Sequence, residues 1–283
     1  MTMTGLSPEI HWQCSFFGER IMRDLLDLET YPLDQRESEE YSALINRCRA
    51  DLASGGMFNL AGFLRPEATL KAVAEVTPVL ETDSFKHHRR HNIFFKDEVL
   101  GIPVDHPAMR KFDSINHTIC ADQIDGGVVT RVYEYPPLLQ FLADAMEKES
   151  LHLMDDPLAR VNVMATREGE ALNWHFDQSE FTTTIMLQAS EEGGKLEYRS
   201  ELRTPEEPNH EGAARLVNGE NSENKIATLT PGTLNVFRGV NTPHRVTTVG
   251  GSRDRIMTIF SFYGQPGVTF SDEMRIGFYG RAS

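Results

Sequence analysis

The chain has 283 residues, 40% of them hydrophobic, which is enough to build a substantial core. Its 42 acidic and 28 basic residues give a formal net charge of -14, a field that repels a phosphate backbone and excludes nucleic acid as an expected partner. No stretch approaches the roughly 20 apolar residues of a membrane span, and Glu9–Gln13 lack the layout of a signal peptide. The cysteines Cys14, Cys48 and Cys120 form no C-x-x-C pair, which argues against a disulfide framework and a zinc ribbon. We therefore expect a cytoplasmic protein that is not bound to a membrane.

The first part of the chain, residues 1–155, mixes helical and strand patterns. A charged stretch with an apolar stripe predicts a surface helix over Leu33–Cys48, and Met57–Leu64 is typical of a short strand. A proline in the first turn predicts a second helix over Pro66–Val79. A broad apolar face predicts a third helix over Pro137–Lys148. We expect this helical region to pack on the rest of the chain.

The second part, residues 156–283, consists of short β-branched segments separated by Gly-Gly and Pro-Gly pairs. This spacing predicts an antiparallel sandwich or barrel such as a jelly roll. The polar stretch Glu201–Lys225 predicts a long loop or lid, because it has little to bury. We expect one domain over residues 1–283, mainly β with helices (α+β). The predicted strands are Val161–Ala165, Phe181–Leu187, Lys195–Tyr198, Ile226–Leu229, Thr233–Phe237, His244–Val249 and Arg255–Tyr263.

His175 and Asp177 lie two residues apart, so on a strand both side chains project to the same face. His244, at the start of another predicted strand, offers a third ligand. Two histidines and one carboxylate on one side of an iron ion form a facial triad, which leaves positions open for a bidentate co-substrate and dioxygen. The H-x-D spacing alone is common by chance, and single histidines are more often structural than metal ligands. The strand context of both histidines and an arginine further on favour the metal site.

That arginine is one of two. Arg253 and Arg255 have the same parity, so either of them can turn into a barrel that carries His244. There it would bind a dicarboxylate in a bidentate ion pair. We expect the other arginine to be a solvated charge of a turn.

The order His175-x-Asp177, then His244, then an arginine entering the last long strand resembles the Fe(II)/2-oxoglutarate-dependent dioxygenases. Their fold is a double-stranded β-helix, or jelly roll. The resemblance covers Asp156–Gly280. Finer phrases are similar to a branch whose members act on free amino acids and other small metabolites. These phrases are Trp174–Asp177, Phe181–Gln188, Gly193–Tyr198 and Pro231–Leu234.

The resemblance implies that His175, Asp177 and His244 hold Fe(II), with 2-oxoglutarate and dioxygen as co-substrates. It implies hydroxylation of a C–H bond of a small molecule, with succinate and carbon dioxide as co-products. Desaturation or cyclisation would use the same cofactors. Halogenases of the family have Gly or Ala in place of the carboxylate ligand, so Asp177 disfavours halogenation.

Within this resemblance Arg255 is the first choice for the C5 carboxylate of 2-oxoglutarate, because Phe262 occupies the family's aromatic position at the strand end. Arg253 fits the shorter spacing found in many relatives. Asn162 and Thr184, on strands expected to border the site, are candidates for further 2-oxoglutarate contacts.

The segment Lys86–Phe95 is the one strongly basic stretch of this acidic chain. Arg90 or Arg89 is a candidate for binding the carboxylate of an amino-acid substrate, although a basic surface strand explains the stretch equally well. Trp174 and Gln178 flank the predicted metal ligands and are further candidates for substrate contacts.

Two classes outside the oxygenases fit parts of the pattern. Two histidines and an aspartate also bind zinc in metallohydrolases on cupin-like barrels. A non-enzymatic jelly-roll binding protein would use the histidines structurally. The zinc class has no need of Arg253 or Arg255, so these residues discriminate it from an oxygenase, whereas the binding-protein class predicts no tight iron binding. A protein hydroxylase is less favoured, because no separate peptide-recognition module is visible.

Overall fold

The computed structural model describes residues 20–220 and 223–283. Cys14 and Glu9–Gln13 lie outside the described residues. Within the described ranges, no helix has the length and apolar character required to cross a bilayer.

The helices lie mostly in the first part of the chain. Residues 20–25 are helical, and 3-10 turns occur at Pro107–Met109 and Ala121–Gln123. The remaining helices are α1 (Glu39–Gly55), α2 (Pro66–Thr82), α3 (Val128–Tyr133), α4 (Pro136–Ala145), α5 (His210–Val217) and α6 (Asp272–Tyr279).

Helix α1 differs from the helix predicted over Leu33–Cys48 at both ends. It begins after Ser38, whose hydroxyl accepts a hydrogen bond from the Tyr41 amide at 3.0 Å. It ends at Gly56, which adopts the left-handed conformation at φ 71°. The cap and the glycine, rather than the apolar stripe, set its limits.

Among the described residues the strands form four sheets, and their pairings are antiparallel. A seven-stranded sheet has the order β1-β11-β7-β14-β5-β3-β2, and a four-stranded sheet has the order β10-β9-β12-β6. Together they form the expected jelly roll, flanked by the two-stranded pairs β13-β8 and β15-β4. The strands are β1 (Met57–Leu60), β2 (Phe85–His91), β3 (Phe112–Cys120), β4 (His152–Leu153), β5 (Val161–Thr166), β6 (Leu172–His175), β7 (Thr182–Gln188), β8 (Glu192–Gly193), β9 (Leu196–Tyr198), β10 (Lys225–Ala227), β11 (Leu234–Phe237), β12 (His244–Val246), β13 (Val249–Gly250), β14 (Arg255–Phe260) and β15 (Phe262–Tyr263).

Two of the predicted long strands are each divided in the structure. The segment His244–Val249 contains β12 and the start of β13, and Arg255–Tyr263 contains β14 and β15. They are divided because their second halves pair elsewhere, β13 with β8 and β15 with β4. The N-terminal part also contributes more than helices, since β1, β2 and β3 extend the seven-stranded sheet at both edges.

The two faces of the seven-stranded sheet differ in character. One face, called the outer face here, carries Val161, Val163 and Ala165 of β5 into a core shared with α1, α2 and α4. The opposite, inner face is turned toward the four-stranded sheet. Because side chains alternate along a strand, each strand contributes to both faces.

The polar stretch Glu201–Lys225 was predicted to be a loop, and this is wrong for its middle. It contains α5, which begins at Asn209, whose side chain accepts a hydrogen bond from the Gly212 amide at 2.9 Å. The helix buries Ala213, Ala214 and Leu216 in a cluster with Trp174 and Phe176. A short apolar face within a polar stretch is therefore sufficient to anchor this segment.

Candidate metal centre

Three potential metal ligands meet where the four-stranded sheet joins β6 to β12. His244 lies directly opposite His175 in the antiparallel register. The Nε2 atom of His175 lies 3.6 Å from Asp177 Oδ1, and that of His244 lies 3.6 Å from Asp177 Oδ2. The ligand atoms of the three residues lie within 4.8 Å of one another, so one ion can contact all of them.

Backbone hydrogen bonds fix both imidazole rings. His175 Nδ1 lies 2.7 Å from the Asn173 carbonyl oxygen, and His244 Nδ1 lies 3.1 Å from that of Thr242. A carbonyl oxygen can only accept, so Nδ1 carries the proton in each ring. The Nε2 lone pairs therefore face the space shared with Asp177, as a metal site requires.

The protonation states also suit a metal. Burial, with a further contribution from His244, lowers the pKa of His175. Burial alone would raise the pKa of Asp177, but His244, His175 and a hydrogen bond from Thr182 outweigh it, so this pKa is lowered. At neutral pH His175 is neutral and Asp177 is ionised. Two nitrogen donors and one carboxylate on the same side form the donor set of a facial triad for Fe(II).

A close backbone approach positions Asp177. Its amide donates to the Gly239 carbonyl oxygen at 3.1 Å, and its Oδ2 accepts from the Thr182 hydroxyl at 2.5 Å. A Cβ atom on Gly239 would lie 2.5 Å from both Asp177 Oδ2 and Thr182 Oγ1. Sequence reasoning did not identify Gly239 or Thr182. The only available signal was a glycine shortly before His244.

Arg255 lies inside the barrel, and Arg253 lies outside it. Arg255 is 2% exposed, and its Nε donates to the Gly194 carbonyl oxygen at 3.0 Å. Arg253 is exposed in the preceding turn, where its Nε donates to the Ala189 carbonyl oxygen at 2.8 Å. Of the two alternatives left open by the sequence, Arg255 is the one with access to the interior.

The Arg255 guanidinium is a buried cation that has no carboxylate partner in the described part of the chain. Burial lowers its pKa to about 10, so it is still protonated at neutral pH. It shares the interior with the triad, because one of its terminal nitrogens contacts Met257 Sδ at 3.7 Å and Met257 belongs to the same cluster as Phe237. The Phe237 ring in turn lies edge-on to His244, with centroids 4.7 Å apart. An uncompensated buried charge is costly, and an anionic ligand would compensate it.

Asn162 and Thr184, the two other predicted co-substrate contacts, lie in different surroundings. Asn162 faces inward, but its Nδ2 donates to the Leu158 carbonyl oxygen and its Oδ1 accepts from the Tyr279 hydroxyl, both at 2.9 Å. Its amide is therefore already engaged. Thr184 is buried on the inner face, and its hydroxyl makes only a long hydrogen bond of 3.4 Å to Asn235. Of the two side chains, Thr184 therefore has the less engaged polar group.

Arg89 and Arg90 lie on opposite faces of β2. Arg90 is paired with Asp113 across the sheet and forms an exposed ion pair with it at 3.5 Å. Arg89 lies on the inner face, with its guanidinium carbon 4.9 Å from the ring centroid of Phe95 and 6.0 Å from that of Phe278. It has no ion-pair partner among the residues described. Arg89 is exposed, and of these two arginines it is the one that reaches the surroundings of the triad, because Phe95 lies edge-on to His175 at 5.5 Å.

Trp174 and Gln178 are less suited to substrate contact. Trp174 alternates with His175 along β6 and is buried in the cluster that contains Leu202 and Ala213. It faces away from the triad, so a substrate contact is not supported. Gln178 follows Asp177 on the exposed rim, and no contact fixes its side chain.

The fold and the triad together define an Fe(II)/2-oxoglutarate-dependent oxygenase. The family model described as Halogenase D matches residues 41–271, which is more than half of the chain. The chain belongs to this Halogenase D family. The matched range includes the N-terminal helices and strands as well as the jelly roll. No match was found among curated protein sequences.

Solved structures agree on the fold. The non-heme alpha ketoglutarate dependent epimerase SnoN from nogalamycin biosynthesis is 13% identical, with a TM-score of 0.54 over 78% of this chain and 81% of that chain. Its complex with Fe3+, alpha ketoglutarate and nogalamycin RO gives a TM-score of 0.51, at 13% identity over 78% and 84%. AviO1 from Streptomyces viridochromogenes Tue57 gives 0.53, at 13% identity over 79% and 96%. The protein is thus a dioxygenase that uses Fe(II), 2-oxoglutarate and dioxygen on the jelly-roll fold of these enzymes.

Proposed function

We propose that this oxygenase hydroxylates an unactivated C–H bond of a free amino acid or a related small metabolite. In the balanced reaction, the substrate C–H bond, 2-oxoglutarate and dioxygen become the C–OH product, succinate and carbon dioxide. His175, Asp177 and His244 would hold the iron, which supplies the oxygen chemistry when bound. Arg255 would bind the distal carboxylate of 2-oxoglutarate, and Thr184 is a candidate for a second contact.

The presence of Asp177 carries the proposed outcome. The family's name refers to halogenation, which requires a position for a halide on the metal. With three protein ligands, a bidentate co-substrate and dioxygen, an octahedral ion has no position left for a halide. Asp177 lies within 3.6 Å of both histidine Nε2 atoms and is fixed by Thr182 and Gly239, so it supports hydroxylation over halogenation.

Arg89 supports a substrate that carries a carboxylate. Its exposed guanidinium lies between two aromatic rings on the inner face, which is turned toward the triad, and it has no carboxylate partner among the described residues. A guanidinium binds a carboxylate in a bidentate, charge-assisted pair. The SnoN complex with nogalamycin RO shows that this fold accommodates small molecules.

The test begins with an anaerobic titration of the protein with Fe(II) and 2-oxoglutarate, monitored by the visible charge-transfer band of the chelate. The loaded enzyme is then exposed to oxygen with individual amino acids in chloride-containing buffer. Succinate release and the mass of the product are measured. We expect a product that has gained one oxygen atom.

Other outcomes have distinct meanings. A product that has lost two hydrogen atoms would indicate desaturation or cyclisation at the same site. A chlorinated product would overturn the assignment based on Asp177. Succinate release that no amino acid stimulates above the substrate-free rate would contradict the proposed substrate class.

The role of Arg89 is tested by substitution. Arg89→Ala should raise the substrate KM by roughly tenfold or more, since hydrogen bonds to charged groups contribute about 1.5–3 kcal/mol. Arg90→Ala is the matched control.

A further inference from the structure

The turn that follows β2 has an unusual backbone. Phe95 has φ 54°, in the left-handed region that is unfavourable for a residue with a Cβ atom. The buried side chain of Asn92 maintains this conformation. Its Oδ1 accepts from the amides of Phe94 at 3.0 Å and Lys96 at 3.3 Å, and its Nδ2 donates to the Lys96 carbonyl oxygen at 2.5 Å. The side-chain amide of Asn92 thus stabilises the turn as both donor and acceptor.

The turn directs the Phe95 ring to a functionally important place. The ring stacks on His91 with centroids 4.1 Å apart and lies edge-on to the metal ligand His175 at 5.5 Å. Its face lies 4.9 Å from the guanidinium carbon of Arg89. Phe95 therefore touches both the metal ligand and the arginine proposed to bind the substrate. Strained backbone conformations that the surroundings enforce are concentrated at functional sites.

The turn is also tied to the strand that carries the metal ligand. The Phe176 amide donates to the Ile93 carbonyl oxygen at 3.0 Å, and the rings of Phe94 and Phe176 are stacked with centroids 5.9 Å apart. On the other side, the Ser114 hydroxyl bonds His91 Nε2 at 2.7 Å and accepts from the Asn173 amide at 2.8 Å. The position of Phe95 is therefore fixed relative to His175 from both sides.

We propose that Phe95 is a positioning and specificity-determining residue, which holds Arg89 at a set distance from the iron and forms the wall along which the substrate lies. The inference rests on the proposed function, because it assigns the substrate carboxylate to Arg89. A cation over an aromatic face is stabilised by the ring quadrupole, so the ring fixes the guanidinium without neutralising it. The charge of Arg89 stays available for the substrate carboxylate. The wall then determines which carbon of the substrate faces the metal.

The test compares Phe95→Ala and Phe95→Leu with the wild-type holoenzyme, with Phe112→Leu as the matched control. Phe112 is edge-on to His91 at 5.3 Å, but it makes no ring contact with His175 or Arg89. The readouts are the substrate KM, kcat, the product formed per succinate released, and the charge-transfer band of the iron chelate. Phe95→Leu retains bulk without the aromatic face, so it separates the wall from the cation–π contact.

We expect Phe95→Ala to raise the substrate KM by about two- to fivefold, the range for a cation–π contact at an exposed site, since the side chain of Arg89 is exposed. We also expect less product per succinate, with oxidation distributed over more than one carbon. Phe95→Leu should raise KM while retaining the wild-type site of oxidation. The charge-transfer band and the KM for 2-oxoglutarate should not change, and Phe112→Leu should behave as the wild type.

Two results in Phe95→Ala would overturn the inference alone. One is an unchanged substrate KM, coupling and product pattern while Arg89→Ala raises KM. The other is loss of the charge-transfer band, which would make Phe95 a support of the metal ligand instead. If the substrate of the wild-type enzyme has no carboxylate and its KM does not change in Arg89→Ala, both the proposed substrate class and the role of Phe95 are overturned.

Discussion

The two faces of the seven-stranded sheet are built from the same strands but differ in chemistry. On β5, Val161, Val163 and Ala165 pack into the helix-covered core, whereas the alternate residues Asn162 and Thr166 are buried polar side chains that face the barrel interior. Along β7, the buried Ile185 on the outer face alternates with Thr184 on the inner face. The outer face is mainly apolar where the helices cover it, whereas the inner face combines polar side chains with an apolar cluster that contains Met186 and Met257.

This difference indicates which face serves stability and which serves function. Burial of apolar side chains is favourable without further conditions, whereas buried polar groups are costly unless they are paired. The inner face nevertheless carries a buried arginine without a carboxylate partner in the described ranges, and it is turned toward the four-stranded sheet that carries the two histidine ligands. Its polar groups are arranged for ligands. Substitutions on the two faces should therefore separate stability from activity.

The largest effect is expected for Asp177→Ala. Removing a residue that only hydrogen-bonds to a metal ligand costs about 10–100-fold in metal affinity or activity. Removing the ligand itself should therefore reduce turnover by more than about 100-fold. The protein should remain folded, because Asp177 is not part of the outer-face core. Succinate formation and the thermal melting of the apo-protein are the measurements. Asp113→Ala is the control. It removes an exposed carboxylate from the outer face of β3 and should leave turnover unchanged. If the two variants had comparable turnover, Asp177 would not be a metal ligand.

Arg255→Met should weaken 2-oxoglutarate binding by at least about 30-fold, the lower end of the roughly 2–5 kcal/mol lost when one partner of a buried charge pair is removed. The apo-protein should at the same time be stabilised by about 1 kcal/mol, because an uncompensated buried charge is replaced by an apolar chain. Binding is measured from the charge-transfer band, and stability by denaturant unfolding. Arg253→Met, in the exposed turn, should change neither quantity. An Arg255→Met protein that binds 2-oxoglutarate normally would contradict the proposed contact.

The triad was predictable from sequence, whereas strand periodicity could not choose between the two arginines and only the family resemblance favoured Arg255. His175 and Asp177 are close in the chain, and strand periodicity places them on one face. Arg253 and Arg255 have equal parity, so periodicity cannot separate them. What separates them is the start of β14 at Arg255, which leaves Arg253 in the turn after the two glycines.

The inner position of β2 was also hidden from sequence reasoning. The strand is rich in basic residues and lacks apolar alternation, so its pattern does not reveal which side faces the barrel. Pairing with β3 decides this, because Arg89 is opposite Ser114 and Arg90 is opposite Asp113. The approach of Gly239 to Asp177 likewise joins residues that are distant in sequence.

Gly239→Ala tests how closely the backbone after β11 is fitted to the ligand carboxylate of Asp177. A Cβ atom there would lie 2.5 Å from Asp177 Oδ2, so the carboxylate must shift. We expect iron affinity to fall by about tenfold, the lower end of the effect of disturbing a support of a metal ligand. Gly264→Ala is the control, because an added Cβ atom meets nothing within 4 Å there. Iron affinity is measured by anaerobic titration. Equal affinities in the two variants would show that Asp177 tolerates displacement.

The smallest effects should come from adjacent residues of β7, and these distinguish the two faces most directly. Ile185→Val removes one methylene group from the outer core, so it should reduce stability by about 1 kcal/mol and leave the KM for 2-oxoglutarate unchanged. Thr184→Val removes an inner-face hydroxyl whose recorded bond to Asn235 is 3.4 Å long, so stability should change by less than about 1 kcal/mol. If Thr184 contacts 2-oxoglutarate, the KM for 2-oxoglutarate should rise in Thr184→Val by roughly three- to tenfold, the contribution of one hydrogen bond. Denaturant unfolding and steady-state kinetics on both variants give four values. A KM increase in Ile185→Val, or a stability loss in Thr184→Val as large as that in Ile185→Val, would show that the faces are coupled and that strand parity alone does not separate stability from function.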